Sequence, residues 1–205
     1  MLNMQIQNAC RARRGERGVT LIELIMVITI LVVVSSLILA NNARFGGEVL
    51  LQNFAYDVAL SIRKAQVYGI AVRRSEDGDF NVGYGVHFDS RNMQTEYILF
   101  VDKGDGVYTD QSEILERTSI LGGFKIVKLC AISAGSLSGE CERVDTLDIF
   151  FKRPEPSAFI SANGKSGIRN PADLQERGGI DLRSPRGQSI RVFVEVAGQI
   201  AVERI

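Results

Sequence analysis

From residue 19 to residue 40 the chain reads VTLIELIMVITILVVVSSLILA, an apolar run of 22 residues. After its one acid, Glu23, only Thr29, Ser35 and Ser36 are polar. A helix of that length extends about 33 Å, enough to cross a hydrocarbon core about 30 Å thick. The pattern predicts a transmembrane helix over 19–40. Arg11, Arg13, Arg14 and Arg17 precede it, with Glu16 the only acid among them. That imbalance predicts a cytoplasmic N-terminus, with everything after the helix across the membrane.

The pattern then changes twice. Residues 41–47 (NNARFGG) are expected to weaken the helix, with a bend at Gly46-Gly47. Leu51, Phe54 or Ala55, Val58, Ile62 and Ala65 then recur at three- and four-residue steps. Asn53, Asp57, Ser61 and Lys64 take the opposite face, so an amphipathic helix is predicted over 41–69, stopped by Gly69. Beyond it the period shortens to two. Strands are predicted at 70–74, 80–88, 97–101, 114–120, 124–132, 146–152, 158–161, 190–196 and 199–203. Residues 166–179 read as a polar loop with one helical turn after Asn170-Pro171. Short strands separated by turns argue for antiparallel sheets rather than βαβ units. The expected fold is α+β: a long N-terminal helix, transmembrane then amphipathic, packed on an antiparallel β head over 70–205.

Composition adds a compartment and weighs against a partner class. Four of the 24 basic residues and one of the 24 acidic ones lie in residues 1–18, leaving 20 against 23. No block of like charge stands out, which argues against a strongly electrostatic DNA-binding surface. Cys10 precedes the apolar run, whereas Cys130 and Cys141 would both face an extracytoplasmic compartment. A disulfide between those two is plausible chemistry there, and the alternative is two independent thiols. With a lone histidine, His87, they form no zinc pattern.

Three readings of the apolar run compete. A cleaved signal peptide has a shorter apolar core and small residues at its cleavage site, whereas here Ile38-Leu39-Ala40 puts a bulky residue there. A plain anchor leaves Glu23 unexplained, and an intramembrane carboxylate costs at least ~2.5 kcal/mol. The third reading is a resemblance. The run G-V-T-L-I-E-L-I-M-V-I-T-I-L behind a basic leader resembles the N-terminal signature of type IV pilins and pseudopilins. The resemblance implies that prepilin peptidase cuts after Gly18, so that 1–18 is a leader, and N-methylates Val19. Val19 stands where phenylalanine or methionine is commoner. It also implies that Glu23 pairs with the terminal amine of a neighbouring subunit and sets the register between helices. The alternative role for Glu23 is a carboxylate reaching back to the headgroups.

From about residue 50 onward the chain loosely resembles the pseudopilin H and fimbrial T family. The resemblance rests on Gly83-Tyr84-Gly85-Val86, the segment F-V-D-K-G-D-G-V-Y-T-D-Q-S-E-I-L, Asn163-Gly164, and the closing V-A-G-Q-I-A-V-E around Gly198. Some members of that family bind DNA through C-terminal arginines, for which Arg186 and Arg191 are the candidates here. Asp102, Asp105, Asp110 and Glu113 lie on a glycine-containing loop whose oxygens suit Ca²⁺. As an EF-hand that loop fails, with glycines at its third and fifth positions, and acids capping backbone amides are the competing reading. No nucleophile elbow, P-loop or dinucleotide fingerprint is present, and no enzymatic activity is expected. No cofactor is expected unless the loop binds Ca²⁺.

The expected function is therefore that of a minor pilin or pseudopilin, a structural subunit of a type IV pilus, including DNA-uptake pili, or of a type II secretion pseudopilus. Its implied partners are prepilin peptidase, other pilins or pseudopilins in a filament, and an inner-membrane assembly platform. Its implied location is the bacterial inner membrane, single pass, with the head periplasmic or extracellular. The rival class is a membrane-anchored extracytoplasmic binding domain, DNA- or calcium-dependent, that never polymerises.

Overall fold

The computed structural model describes residues 18–71, 82–102, 104–136 and 140–205, with the backbone alone for 40–46. The chain forms two compact units, Met1–Ala43 and Arg44–Ile205. Helix α1 spans Leu21–Ile70, so residues 41–47, expected to weaken it, do not end it. In the first unit Leu21–Leu39 has a mean hydropathy of 2.8 and none of it is buried. It is long and apolar enough to cross a membrane.

Among the described residues the second unit holds ten strands, all paired antiparallel. They are β1 (Gly83–Asp89), β2 (Glu96–Asp102), β3 (Ile114–Ser119), β4 (Lys125–Ser133), β5 (Glu142–Val144), β6 (Thr146–Phe151), β7 (Ala158–Ala162), β8 (Gln175–Arg183), β9 (Ser189–Glu195) and β10 (Ile200–Arg204). One five-stranded sheet has the order β3-β2-β1-β6-β7 and the other β10-β9-β8-β4-β5. An apolar helix followed by antiparallel sheets is the α+β arrangement the sequence pattern predicts.

Packing follows the two periodicities. Leu51, Ala55, Val58, Ile62 and Ala65 of α1 are buried and join one core with alternate residues of both sheets, among them Val86, Leu99, Ile149, Ile160, Ile180 and Val192. The intervening residues of the first sheet are buried too, because Ile98, Phe100 and Phe150 form a second core on its other face with Tyr108, Phe159 and Ile168 against them. Gly85 of β1 lies between Phe100 and Phe150 in register. A Cβ there would fall 2.5 Å from the Phe100 ring, so the glycine leaves room for the rings to stack, centroids 6.4 Å apart. The G-Y-G-V run is thus a packing device: Tyr84 and Val86 face one core, and the glycines admit aromatic rings to the other.

Three expectations need correction. Gly69 does not stop α1, which runs on to Ile70. A Cβ at Gly69 would lie 2.5 Å from the Phe151 carbonyl oxygen, so the residue permits close approach of helix to β6. The strand predicted at 70–74 therefore begins inside helix, and its residues from 72 on lie outside the described residues. The polar stretch 166–179 does hold a single 3-10 turn, Pro171–Asp173, capped by the Asn170 side chain. Its end belongs to β8, however, which lies centrally in its sheet. Gly178-Gly179 disguise the strand: Gly178 packs beneath Ile160 and Leu147, and a Cβ at Gly179 would lie 2.9 Å from Cys130 Sγ. The edge strand β5 was not anticipated either.

Candidate processing and assembly site

The start of α1 is built by its own first residues. Thr20 precedes the helix, and its Oγ1 accepts the backbone N–H of Glu23 at 3.3 Å, while its carbonyl accepts the N–H of Leu24 at 3.1 Å. T-L-I-E thus has the spacing of a capping box, with Glu23 at the third helical position. An acid there also suits the positive end of the helix dipole. Gly18, Val19 and Glu23 are all exposed, and Val19 keeps 69% of its surface accessible. Among the described residues the Glu23 carboxylate has no hydrogen-bond or ion-pair partner. The basic residues Arg11, Arg13, Arg14 and Arg17, and Cys10, lie outside the described residues.

Two hydroxyls further along the apolar stretch are satisfied by the helix itself. The Thr29 hydroxyl donates to the Ile25 carbonyl, and the Ser36 hydroxyl donates to the Val32 carbonyl at 2.7 Å. Satisfying hydroxyls within the helix lowers the cost of placing them in hydrocarbon. Glu23 is left as the one charged group in a nineteen-residue apolar surface.

The head's candidate residues are occupied locally. Asp102 accepts the Gly106 N–H at 2.6 Å, Asp105 accepts the Val107 N–H at 3.1 Å and pairs with Arg169. Asp110 caps the 3-10 turn Gln111–Glu113 through Ser112, whose N–H and hydroxyl hold its carboxyl below the usual range. Glu113 accepts the Thr109 N–H and hydroxyl, both at 2.8 Å. Among the described residues no three acidic, histidine or cysteine side chains converge as a metal site would require. Cys130 and Cys141 are joined in a disulfide that ties β4 to the residue preceding β5, with Cα atoms 5.3 Å apart. Arg191 is gripped by Asp181 through two nitrogens and lies 5.5 Å from the Phe193 ring centre. Arg186 is exposed on the β8–β9 turn. The structure does not bring these two arginines together on one face with unpaired charge.

One polar cluster had no signal in the sequence. His87 on β1 and Asp148 on β6 are register partners, and His87 Nδ1 lies 2.6 Å from Asp148 Oδ1, both buried. Burial pushes the Asp148 carboxyl up, against the hydrogen bond and charge of His87 and the Tyr108 N–H, which pull it down. Ser161, the next register partner of Asp148, donates to the Gly106 carbonyl at 2.9 Å. The row therefore fastens residues 106–108 over the second core. His87 and Asp148 stand 61 residues apart, and only the strand register unites them.

Residues 13–39 match the family model of the prokaryotic N-terminal methylation motif. Comparison with curated proteins and with solved structures gives no match. The matched stretch coincides with the Thr20 cap, Glu23 and the exposed apolar helix. Motif, helix and antiparallel head together support a type IV pilin-like protein with a membrane-anchoring N-terminal helix.

Proposed function

We propose that the chain is a minor pilin or pseudopilin, a structural subunit of a type IV pilus or a type II secretion pseudopilus. Prepilin peptidase cuts it after Gly18 and methylates the amine of Val19, and the mature helix then enters a filament. The observation that carries this reading is the methylation motif lying on an apolar helix with a single exposed acid, Glu23. Cutting after Gly18 removes the basic leader and makes a cation four residues before that acid. In a bundle of such helices the amine of one subunit neutralises the Glu23 carboxylate of the next, offsetting the cost of a charge in hydrocarbon. Axial register follows from that pairing, and the β-rich unit faces outward.

The test is the intact mass of the membrane-extracted protein, made with and without a prepilin peptidase. The expected product is a chain beginning at N-methyl-Val19 only when the peptidase is present. A chain beginning at Met1 in both cases would leave a plain anchor, and a cut beyond residue 40 would make the head a secreted domain.

A further inference from the structure

We propose that one end of the head docks on anionic lipid headgroups, through a basic and apolar patch built by two neighbouring turns. The first turn joins β3 to β4 as L-G-G-F, where Gly122 and Gly123 take φ of 75° and 76°, conformations that favour glycine. It presents Leu121 at 80% exposure, which no large apolar side chain of the described residues exceeds, those of the apolar stretch of α1 included. The second turn joins β8 to β9 as S-P-R-G-Q, closed by the Ser184 N–H to Gln188 carbonyl bond at 2.9 Å.

Three contacts make the turns one surface. A Cβ at Gly123 would lie 3.0 Å from Pro185 Cγ, Lys125 and Arg183 are register partners on β4 and β8, and a Cβ at Gly47 of α1 would lie 3.5 Å from Arg186 Nη1. Lys125, Arg183 and Arg186 are all exposed, and none pairs with a carboxylate among the described residues. Elsewhere in the head Arg91, Arg117, Arg169, Arg177 and Arg191 each do, while Arg143, Lys165 and Arg204 also have none among the described residues. Neither turn contains an acid. Glu48, exposed on α1, lines a notch with Gln188 and Arg204, so that notch carries one charge of each sign.

Unpaired cations around an exposed leucine match a bilayer surface, with phosphates outside and acyl chains just beneath. A nucleic acid would match the cations but leave Leu121 without a partner. The patch adjoins Gly47, eight residues after the apolar stretch ends at Leu39. The proposal rests on the membrane-anchored reading, because tethering to the bilayer raises the head's effective concentration there.

The sequence contains no tryptophan, so Leu121→Trp makes a unique reporter in the full chain. The variant is reconstituted into vesicles of phosphatidylcholine alone, or mixed equally with phosphatidylglycerol, and probed by emission and by quenching with brominated lipid. The expected result is a blue shift and quenching in the anionic vesicles only. Replacing Lys125, Arg183 and Arg186 by Gln should lower the docked-to-free ratio about fivefold for each cation removed. Emission of a water-exposed indole in both compositions, from protein that resists alkaline extraction, overturns the docking and leaves the anchor intact. Protein that alkali extracts overturns the anchor reading and the docking with it. A blue shift produced by short duplex DNA and not by anionic lipid reassigns the patch to nucleic acid and also overturns the proposal.

Discussion

Across Leu21–Leu39 helix α1 keeps its apolar side chains exposed on every side, with Leu21 at 76%, Leu31 at 60% and Leu39 at 72%. Thirty residues further along the same helix, Ala55, Val58, Ile62 and Ala65 are fully buried, while Leu60 on the opposite face is exposed. The described residues supply the second stretch with a partner, the two sheets, and leave the first exposed. A stripe at helical period needs a core on one side only, whereas an all-round apolar surface needs an apolar surrounding. The two stretches therefore depend on different things, and substitutions should separate them.

The largest effect is expected from Glu23→Ala. Under the proposed function it removes the partner of the neighbouring amine, and incorporation into sheared filaments should fall at least tenfold, on the order of the loss of one charge pair. The thermal stability of the head should not move. Incorporation at the parent level would return Glu23 to a snorkelling carboxylate. The converse variant, Ile62→Ala, should cost the head ~2–5 kcal/mol in denaturant unfolding, because a fully buried side chain leaves a cavity. Its membrane integration should be unchanged, and a change there would mean that the two stretches are coupled.

The predictions rest on residues of unequal legibility. The buried stripe, the apolar run and most strands could be read because their chemistry repeats along the chain. Residues 175–183 are harder, since the alternation of Ile180 and Leu182 with Asp181 and Arg183 is short and is preceded by Arg177, Gly178 and Gly179. Burial of this strand comes from neighbours: Ile160 and Leu147 over Gly178, and the Cys130 sulfur over Gly179. The same holds for the site residues. Glu23 is visible because an acid in an apolar run costs free energy that needs a reason. Thr20 is legible as the first residue of T-x-x-E, a local capping signal that the apolar run around it masks. The Asp148–His87 pair is a product of register, and no local pattern announces it.

Smaller effects sharpen the contrast within the head. Replacing Cys130 and Cys141 by serine removes a link between residues 11 apart, worth about 3 kcal/mol on the loop-entropy estimate. The loss should show in unfolding of the oxidised parent against the variant and vanish when both are reduced. Asp89 tests electrostatics. Burial would raise its carboxyl, but hydrogen bonds from the Asn92 N–H and side chain and the Arg91 N–H, with the charge of His87, hold it below the usual range. A carboxyl lowered in the fold adds stability above its unfolded value, about 3.9, and loses it as pH falls through the folded one. Parent and Asp89→Asn should thus differ at neutral pH and converge in acid, as read by urea midpoints. Least of all should follow from Leu60→Ser, within about 0.5 kcal/mol, because that exposed leucine touches no core. A larger loss would mean that the outer face of this stretch has a partner too.

The abutment of Gly69 against Phe151 carries a mechanical consequence. With no side chain between them, the end of α1 and the backbone of β6 are almost in contact. β6 is bonded to β1 on one edge and to β7 on the other. A pull arriving through the helix therefore enters the head at an interior strand rather than at a peripheral one. The strand itself is held by two hydrogen-bonded ladders, whereas the helix is held to it by close packing alone, so under load the helix should part from β6 before the sheet tears.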